Sequence, residues 1–531
     1  MVLRLTREIQ VAMSKCADRW ASAQGADDDG SERQGHALDR FPSLAHPEVL
    51  VLVVAVACRL TVILRSGGLR GDFGYDAAVY FAGSDALTHG RLPYRDFVYL
   101  HPPGQLLALA PFAWLTRVVS DPTAFMLANL SVALVGATTA LLVMRICRHL
   151  HLGEGSALAG GLFYATWFGA VGAEYLTKLE PVGNLLVLGG VLLALNAQRR
   201  ERLLSWTAAG AALGLAVCIK VWWVVPVVGI IAWQSAMARR PLRSGVAMAA
   251  GCLGAGLLVT VPFFIAAPQQ MWASVVTDQL GRHRRLNPLP RAGDLGTLGR
   301  LGSHVPGPAL AFGTFVAGVV FLVVVRRAWS VRAARPGVVI LGTQLGVLFA
   351  APSWFPYYTD YVAGFLSITV AAAAATPILS SHRVVAGMTS WLPTCLAASV
   401  TVAILISGQS TVRPVPGAVR LSRSVAGVRC LMSDSPMGLI ELNALSRGLA
   451  AGCPNWVDVT GRTYGPDRAN RSRSHNERWQ RDLTRYLRSG DAIVIVRRSG
   501  TGISSTTQAA ISRDGVLARS AGQTVYRVRH R

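Results

Sequence analysis

The stretch Gly71–Gly104, GDFGYDAAVYFAGSDALTHGRLPYRDFVYLHPPG, decides how the rest of this sequence is interpreted. It follows the first apolar segment, Pro47–Leu64, where a plain membrane anchor would have only a short polar turn. The stretch instead contains four aspartates, several tyrosines and two histidines. A carboxylate beside a membrane is costly unless it has a task or a partner. We therefore expect this loop to carry chemistry at a membrane surface.

The composition indicates a polytopic membrane protein. Of 531 residues, 52% are hydrophobic and 15% are charged, whereas about a quarter of a soluble protein is charged. The net charge of +24 comes almost entirely from arginine, because lysine occurs only at Lys15, Lys178 and Lys220. No aromatic-basic module for nucleic acid accompanies this charge, so basic loops beside anionic membrane lipids explain it better.

The alternation of apolar runs and basic turns predicts about eleven spans between residues 47 and 407. Residues 1–46 are expected to be a disordered cytoplasmic arm, and residues 65–121 the first outer loop. Within that loop, Gln105–Val119 is predicted to lie in the outer interface as a short helix. Counted as a span, it would place Arg145 and Arg148 outside, against the positive-inside rule.

Residues 408–531 contain no apolar span and are predicted to form a small extracytoplasmic α/β domain. Its arginine excess should draw it to anionic headgroups or an anionic polymer. Gly490 is predicted to end a helix as a left-handed cap. Cys430 and Cys453 are either free or joined in a disulfide, which an extracytoplasmic location would permit. The predicted helices and strands of this domain are Met437–Leu449, Asn476–Arg488, Asp491–Arg497 and Gln523–Val528.

The pattern Asp76-Ala-Ala-Val79-Tyr80, followed by Gly83 and Gly90, resembles the first outer loop of GT-C glycosyltransferases. The closest likeness is to family 87, the actinobacterial polyprenyl-phosphate-sugar-dependent mannosyltransferases and their relatives. Residue-level likeness is confined to Asp76–Gly104, and the general architecture extends over residues 47–407.

This resemblance implies an all-α GT-C membrane domain and a glycosyltransferase of the plasma membrane. It implies transfer on the outer face, from a polyprenyl-phosphate sugar to a cell-envelope glycolipid or glycan, with inversion at the anomeric carbon. Mannose is the first candidate sugar and arabinofuranose the second. The arginine-rich, lysine-poor composition fits a high-GC actinobacterium.

Asp76 matches the family pattern and is the predicted general base, since a carboxylate within reach of the acceptor hydroxyl can take its proton. If the segment is helical, Asp76 and Tyr80 share a face, while an apolar stripe against the membrane is formed by Val79, Ala82 and Ala86. The plainer reading makes Asp76 a helix cap or an ion-paired loop residue. Asp72 is a second candidate, to orient the acceptor or hold a cation, or else part of a turn.

Further candidates for substrate binding lie in the same loop and in the next one. Asp96 and His101 would bind sugar or phosphate, although a loop histidine is more often structural. Lys178 would pair with the donor phosphate, and Glu180 with sugar hydroxyls or with Lys178 itself. For Lys178 and Glu180, an ion pair at the interface without a binding role is the alternative.

Later outer turns supply more cations and aromatic rings. Lys220 would bind phosphate or merely extend to the interface. His283 and Arg284 would clamp phosphate or belong to a generic basic face. Tyr357 and Tyr358 would stack on sugar rings or anchor the interface. A divalent cation (magnesium, manganese or calcium) stays open, because some GT-C enzymes use one and others do not.

Two other classes compete with the enzyme. A transporter of lipid-linked sugars would need charges within the bilayer and broken helices. In the sequence, polar residues collect at the outer side and charge near the midplane is nearly absent. A non-catalytic envelope scaffold would not need the acidic residues of the first loop, which are present.

Overall fold

The chain folds as a multi-pass helical protein whose C-terminal part carries a small sheet. The computed structural model describes residues 46–66, 74–282, 288–301, 306–376, 383–407, 417–463, 473–496, 502–520 and 523–528. The predicted N-terminal arm and the site candidates Asp72, His283 and Arg284 lie outside these residues.

The helices up to residue 407 follow the apolar runs of the sequence. In chain order they are α1 (Pro47–Arg65), α2 (Tyr75–Thr88), α3 (Gly104–Trp114), α4 (Asp121–His149), α5 (Glu154–Thr166), α6 (Phe168–Glu174), α7 (Leu179–Arg200), α8 (Leu203–Ile219), α9 (Val224–Ala236), α10 (Pro241–Ala266), α11 (Pro268–Trp272), α12 (Asp278–Leu280), α13 (Pro288–Leu295), α14 (Gly307–Ser330), α15 (Arg335–Ala350), α16 (Ala363–Ala374) and α17 (Arg383–Ser407).

Among the described residues, six helices are long and apolar enough to cross a membrane, namely α1, α4, α7, α10, α14 and the helix ending at Ala350. Shorter apolar helices cover Leu203–Ile219, Val221–Ala236 and Trp391–Leu405. The chain is therefore a multi-pass membrane protein, and the count of eleven spans stays a prediction. The apolar run Ser156–Ala173, one of the predicted spans, is interrupted at Trp167, where the extended backbone separates α5 from α6.

The first loop, defined here as residues 66–120, contains α2, α3 and the 3-10 turn Leu115–Arg117. The prediction that one stripe of α2 faces the membrane is wrong, because every residue from Ala77 to Ala86 is buried. A β-carbon at Gly83 would lie 3.0 Å from Leu106 of α3 and 3.4 Å from Val457. The helix is thus enclosed between α3 and the C-terminal part of the chain.

The C-terminal part forms a four-stranded sheet in the order β1-β2-β4-β3. β1 and β2 are parallel, whereas β4 pairs antiparallel with both β2 and β3. Its elements are α18 (Ala418–Ser424), β1 (Leu431–Ser433), α19 (Pro436–Glu441), α20 (Leu445–Ala450), α21 (Glu477–Leu487), β2 (Ala492–Val494), α22 (Ser505–Ser512), β3 (Gly515–Ser520) and β4 (Gln523–Arg527).

Two local predictions in this part need correction. The single helix predicted over Met437–Leu449 is broken at Asn443, whose φ of 52° ends α19 before α20 begins. Gly490 is not a left-handed cap, since its φ is not positive. A β-carbon there would lie 2.5 Å from the Cys430 carbonyl oxygen, so close packing requires this glycine.

The C-terminal part is built into the rest of the molecule. Cys430 and Cys453 form a disulfide. One hydrophobic core joins Phe81 and Leu106 of the first loop to Leu445 and Val457 beyond the sheet's first strand. The sheet and its helices therefore cover the first loop directly.

Candidate active site

One cavity of about 50 Å³ lies where the first loop meets three distant parts of the chain. It collects residues from α2, from the segment after α12, from the turn before α16 and from the C-terminal part. The lining residues are Asp76, Val79, Tyr80, Tyr99, Leu100, His101, Arg282, Phe355, Tyr357, Tyr358, Asp458 and Thr460.

Asp76 lies in the first turn of α2, which begins after Gly74 with φ 82°. Its Oδ2 accepts hydrogen bonds from Lys178 Nζ at 3.2 Å and from the Tyr357 hydroxyl at 2.5 Å. Burial acts to raise the pKa of Asp76, but the Lys178 charge and the Tyr357 hydroxyl outweigh it, so the pKa lies below its ordinary value. Asp76 is thus a carboxylate at neutral pH, as a proton acceptor must be.

His101 and Tyr80 face one another, with 3.4 Å between the histidine Nε2 and the tyrosine hydroxyl. Burial, together with the charges of Lys220 and Arg282, holds the pKa of His101 well below its ordinary value. The imidazole is therefore neutral at pH 7. A neutral imidazole suits a sugar hydroxyl better than a phosphate.

Lys178 and Lys220 make separate ion pairs. Lys178 pairs with Asp76, and Lys220 Nζ lies 2.6 Å from Glu180 Oε1. The predicted pairing of Glu180 with Lys178 is therefore wrong, because Glu180, in the first turn of α7, faces the turn between α8 and α9. Lys220 Nζ also lies 4.0 Å from the ring centre of Tyr358, and Tyr358 lines the cavity.

Asp96 is not brought to the cavity. Its carboxylate accepts hydrogen bonds from the Arg95 guanidinium at 2.8 Å and from the Leu92 amide at 2.7 Å. It closes the turn that precedes Tyr99, so its predicted binding role has no support from the geometry.

Tyr99, Asp458 and Thr460 line the cavity, although no sequence pattern pointed to them as site residues. Asp458 and Gly461 carry only the ordinary spacing of a turn in which an aspartate accepts from a nearby amide. The Gly461 amide indeed donates to Asp458 Oδ1 at 2.7 Å. Such a pattern recurs in many surface turns and does not indicate a site.

The described residues contain no cluster of metal ligands. Within that part of the chain, no three His, Cys, Asp or Glu side chains lie together so as to hold a metal ion. Asp76 Oδ2 is paired with the Lys178 ammonium. We derive no step through a metal.

Residues 99–349 match the model of glycosyltransferase family 87. The resemblance to family 87 is thereby confirmed. The match to family 87 includes His101, Lys178 and Lys220, while Asp76 and Tyr357 lie outside the matched residues.

Solved structures show that the fold is GT-C. ArnT from Cupriavidus metallidurans, bound to undecaprenyl phosphate, is 16% identical, with a TM-score of 0.58 over 90% of this chain and 97% of that one. The oligosaccharyltransferase AglB from Archaeoglobus fulgidus, in complex with an inhibitory peptide and a dolichol-phosphate, is 12% identical. Its TM-score is 0.52, over 85% of this chain and 69% of that one. No curated protein sequence matches the chain.

Proposed function

We propose that this protein is a membrane glycosyltransferase that moves a sugar from a polyprenyl-phosphate donor to a hydroxyl of a cell-envelope glycolipid or glycan. The observation that carries the proposal is the Asp76 carboxylate, held in a cavity beside Lys178 in a chain that matches family 87. The undecaprenyl phosphate bound to the similar ArnT structure supports a lipid-phosphate donor.

The reaction occurs on the outer face of the plasma membrane, with the N-terminus cytoplasmic and the C-terminal part extracytoplasmic. The Cys430–Cys453 disulfide supports this orientation, because disulfides persist in oxidising compartments. Mannose is the first sugar to test and arabinofuranose the second.

In the proposed step, Asp76 accepts the proton of the acceptor hydroxyl. The oxygen of that hydroxyl attacks the anomeric carbon at the same time. The bond between that carbon and the phosphate oxygen breaks, and polyprenyl phosphate leaves with the electron pair. Attack from the side opposite the leaving group inverts the anomeric carbon. Lys178 and Arg282 stabilise the charge that develops on the phosphate.

Because Asp76 is paired with Lys178 in the free protein, binding of the donor activates the base. When the donor phosphate draws Lys178 away from Asp76, the pKa of Asp76 rises and the carboxylate becomes a stronger proton acceptor. Without donor, the ion pair keeps the carboxylate weakly basic.

The test compares Asp76→Asn with Asp96→Asn in membranes given radiolabelled polyprenyl-phosphate mannose or arabinofuranose. Asp96 is the matched control, since it lies in the same loop but outside the cavity. We expect Asp76→Asn to lose about 10²–10⁴-fold of the transfer rate, the range typical of general bases, and Asp96→Asn to retain it. Full activity of a normally abundant Asp76→Asn protein would exclude Asp76 as the base.

A transporter of lipid-linked sugar is the second candidate, supported by one observation. Arg59 of α1 and Glu174 of α6 form a fully buried ion pair next to the break between α5 and α6. The expectation that charge is nearly absent near the midplane concerns depth in the bilayer, and it stays a prediction. Movement of lipid-linked sugar across vesicles, with no transfer from either donor, would favour this candidate.

A further inference from the structure

Tyr99 has a buried hydroxyl that nothing in the described protein satisfies. Its side chain is fully buried and lines the cavity, and no described residue forms a hydrogen bond with the hydroxyl. A buried polar group without a partner is destabilising. A site that binds a hydroxyl-bearing ligand would supply the partner that the fold does not.

The turn Asp458–Gly461 forms the neighbouring wall and is fastened to the start of α2. The Tyr75 hydroxyl donates to Asp458 Oδ1 at 2.9 Å, and the Thr460 amide donates to the Tyr75 hydroxyl at 2.9 Å. Tyr75 directly precedes Asp76, so the turn is positioned by the same helical turn that carries the base. The C-terminal part thus reaches the reacting centre itself.

The chemistry of this wall selects among ligands. Carboxylate and hydroxyl oxygens accept hydrogen bonds from sugar hydroxyls, whereas a carboxylate repels a phosphate. Asp458 and Thr460 line the cavity, with the Thr460 hydroxyl 3.3 Å from Asp458 Oδ1. Lys178 lies instead against Asp76 and the Tyr357 ring. A volume of about 50 Å³ has room for one or two waters, or for the hydroxyl-bearing edge of a larger molecule.

We propose that Tyr99, Asp458 and Thr460 form the subsite that binds the acceptor sugar, so that the C-terminal part selects the acceptor. The inference rests on the proposed function and adds to it a ligand class, a neutral polyol. Tyr99 and Thr460 bind hydroxyls of the acceptor directly. Asp458 also holds the turn, so it is less suitable for a first test.

The test uses the full-length protein in detergent, with radiolabelled polyprenyl-phosphate mannose as donor and octyl mannoside as acceptor probe. We expect Tyr99→Phe and Thr460→Val each to raise the KM for octyl mannoside about tenfold, the effect of one lost hydrogen bond. The donor KM should stay within about twofold. The Tm of Tyr99→Phe should be unchanged or higher, because the variant removes an unsatisfied group.

Matched controls come from the same part of the chain. Tyr486→Phe and Thr484→Val alter side chains that do not line the cavity, since Tyr486 stacks on Trp456 and Thr484 donates to the Gln480 carbonyl. Both should leave the acceptor KM unchanged. A fall in Tm with no change in KM is the pattern of a purely structural residue.

Titration calorimetry with octyl mannoside separates this inference from the proposed function, because it needs no turnover. Weaker binding in Tyr99→Phe and Thr460→Val, with no transfer by wild type from either donor, would sustain the subsite and reject the transferase. Transfer by wild type with unchanged KM and Kd in both variants would overturn the subsite. It would also be overturned if wild type bound neither octyl mannoside nor octyl arabinofuranoside.

Discussion

The Lys178 ammonium has two partners at the cavity, the Asp76 carboxylate at 3.2 Å and the ring of Tyr357, whose centre is 4.0 Å away. Removing this cation removes an interaction that lowers the pKa of Asp76. We therefore predict that Lys178→Met raises that pKa. Because the base is active when deprotonated, the acid limb of the pH profile of kcat/KM should move to higher pH.

Lys178→Arg is the matched control, since it retains the charge, and its acid limb should stay near that of wild type. The donor KM of Lys178→Met should rise as well, because the same ammonium binds the leaving phosphate in the proposed step. An acid limb that does not move in Lys178→Met would mean that another group than Asp76 titrates in the reaction.

At the scale of elements, a glycine makes room for the buried charges of Arg59 and Glu174. Gly136 of α4 lies so close to both side chains that an added β-carbon would collide with them. In contrast, a β-carbon at Gly189 of α7 would meet nothing within 4 Å. The two glycines share a helical setting and differ in what surrounds them.

We predict that Gly136→Ala destabilises the protein by about 1–3 kcal/mol, as overpacking of a core typically does. The control Gly189→Ala should be neutral or stabilising by up to about 1 kcal/mol, since alanine has the higher helix propensity. Thermal unfolding of both proteins in detergent measures the difference. Equal Tm values would mean that α4 shifts at little cost and that the Arg59–Glu174 pair is not tightly packed against it.

The elements that the sequence predicts well are those with local signals. The apolar runs and caps located α1, α2 and α21, and Asn476 indeed caps α21 through the Trp479 amide. The break at Asn443 has only a weak local signal, because asparagine tolerates positive φ but adopts it at a minority of its positions. The Asp76–Tyr357 contact spans 281 residues and the Tyr75–Asp458 contact 383. No periodicity carries information over such distances.

At the scale of the whole molecule, the candidate site depends on how the C-terminal part docks on the helices. Asp121, at the start of α4, accepts hydrogen bonds from the Leu445 amide at 2.8 Å and the Ser446 amide at 3.3 Å. The Asp121 amide in turn donates to Asn443 Oδ1 at 2.8 Å. This reciprocal cap joins the first loop's end to the beginning of α20.

We predict that the cap acts as one unit. Asp121→Ala should destabilise the protein by about 1 kcal/mol, as loss of a helix cap does, and Asn443→Gly should remove the other half without straining the positive φ. If the two side chains act together, the double variant should lose less stability than the sum of the single losses, by about 0.5 kcal/mol or more. The acceptor KM should rise in all three proteins, because the wall of Asp458 and Thr460 is less well positioned.

Ser504→Ala is the control, since Ser504 caps α22 through the Thr507 amide and does not line the cavity. It should lower Tm and leave the acceptor KM unchanged. Additive losses, or an unchanged acceptor KM in the double variant, would mean that docking at α20 does not set the geometry of the site.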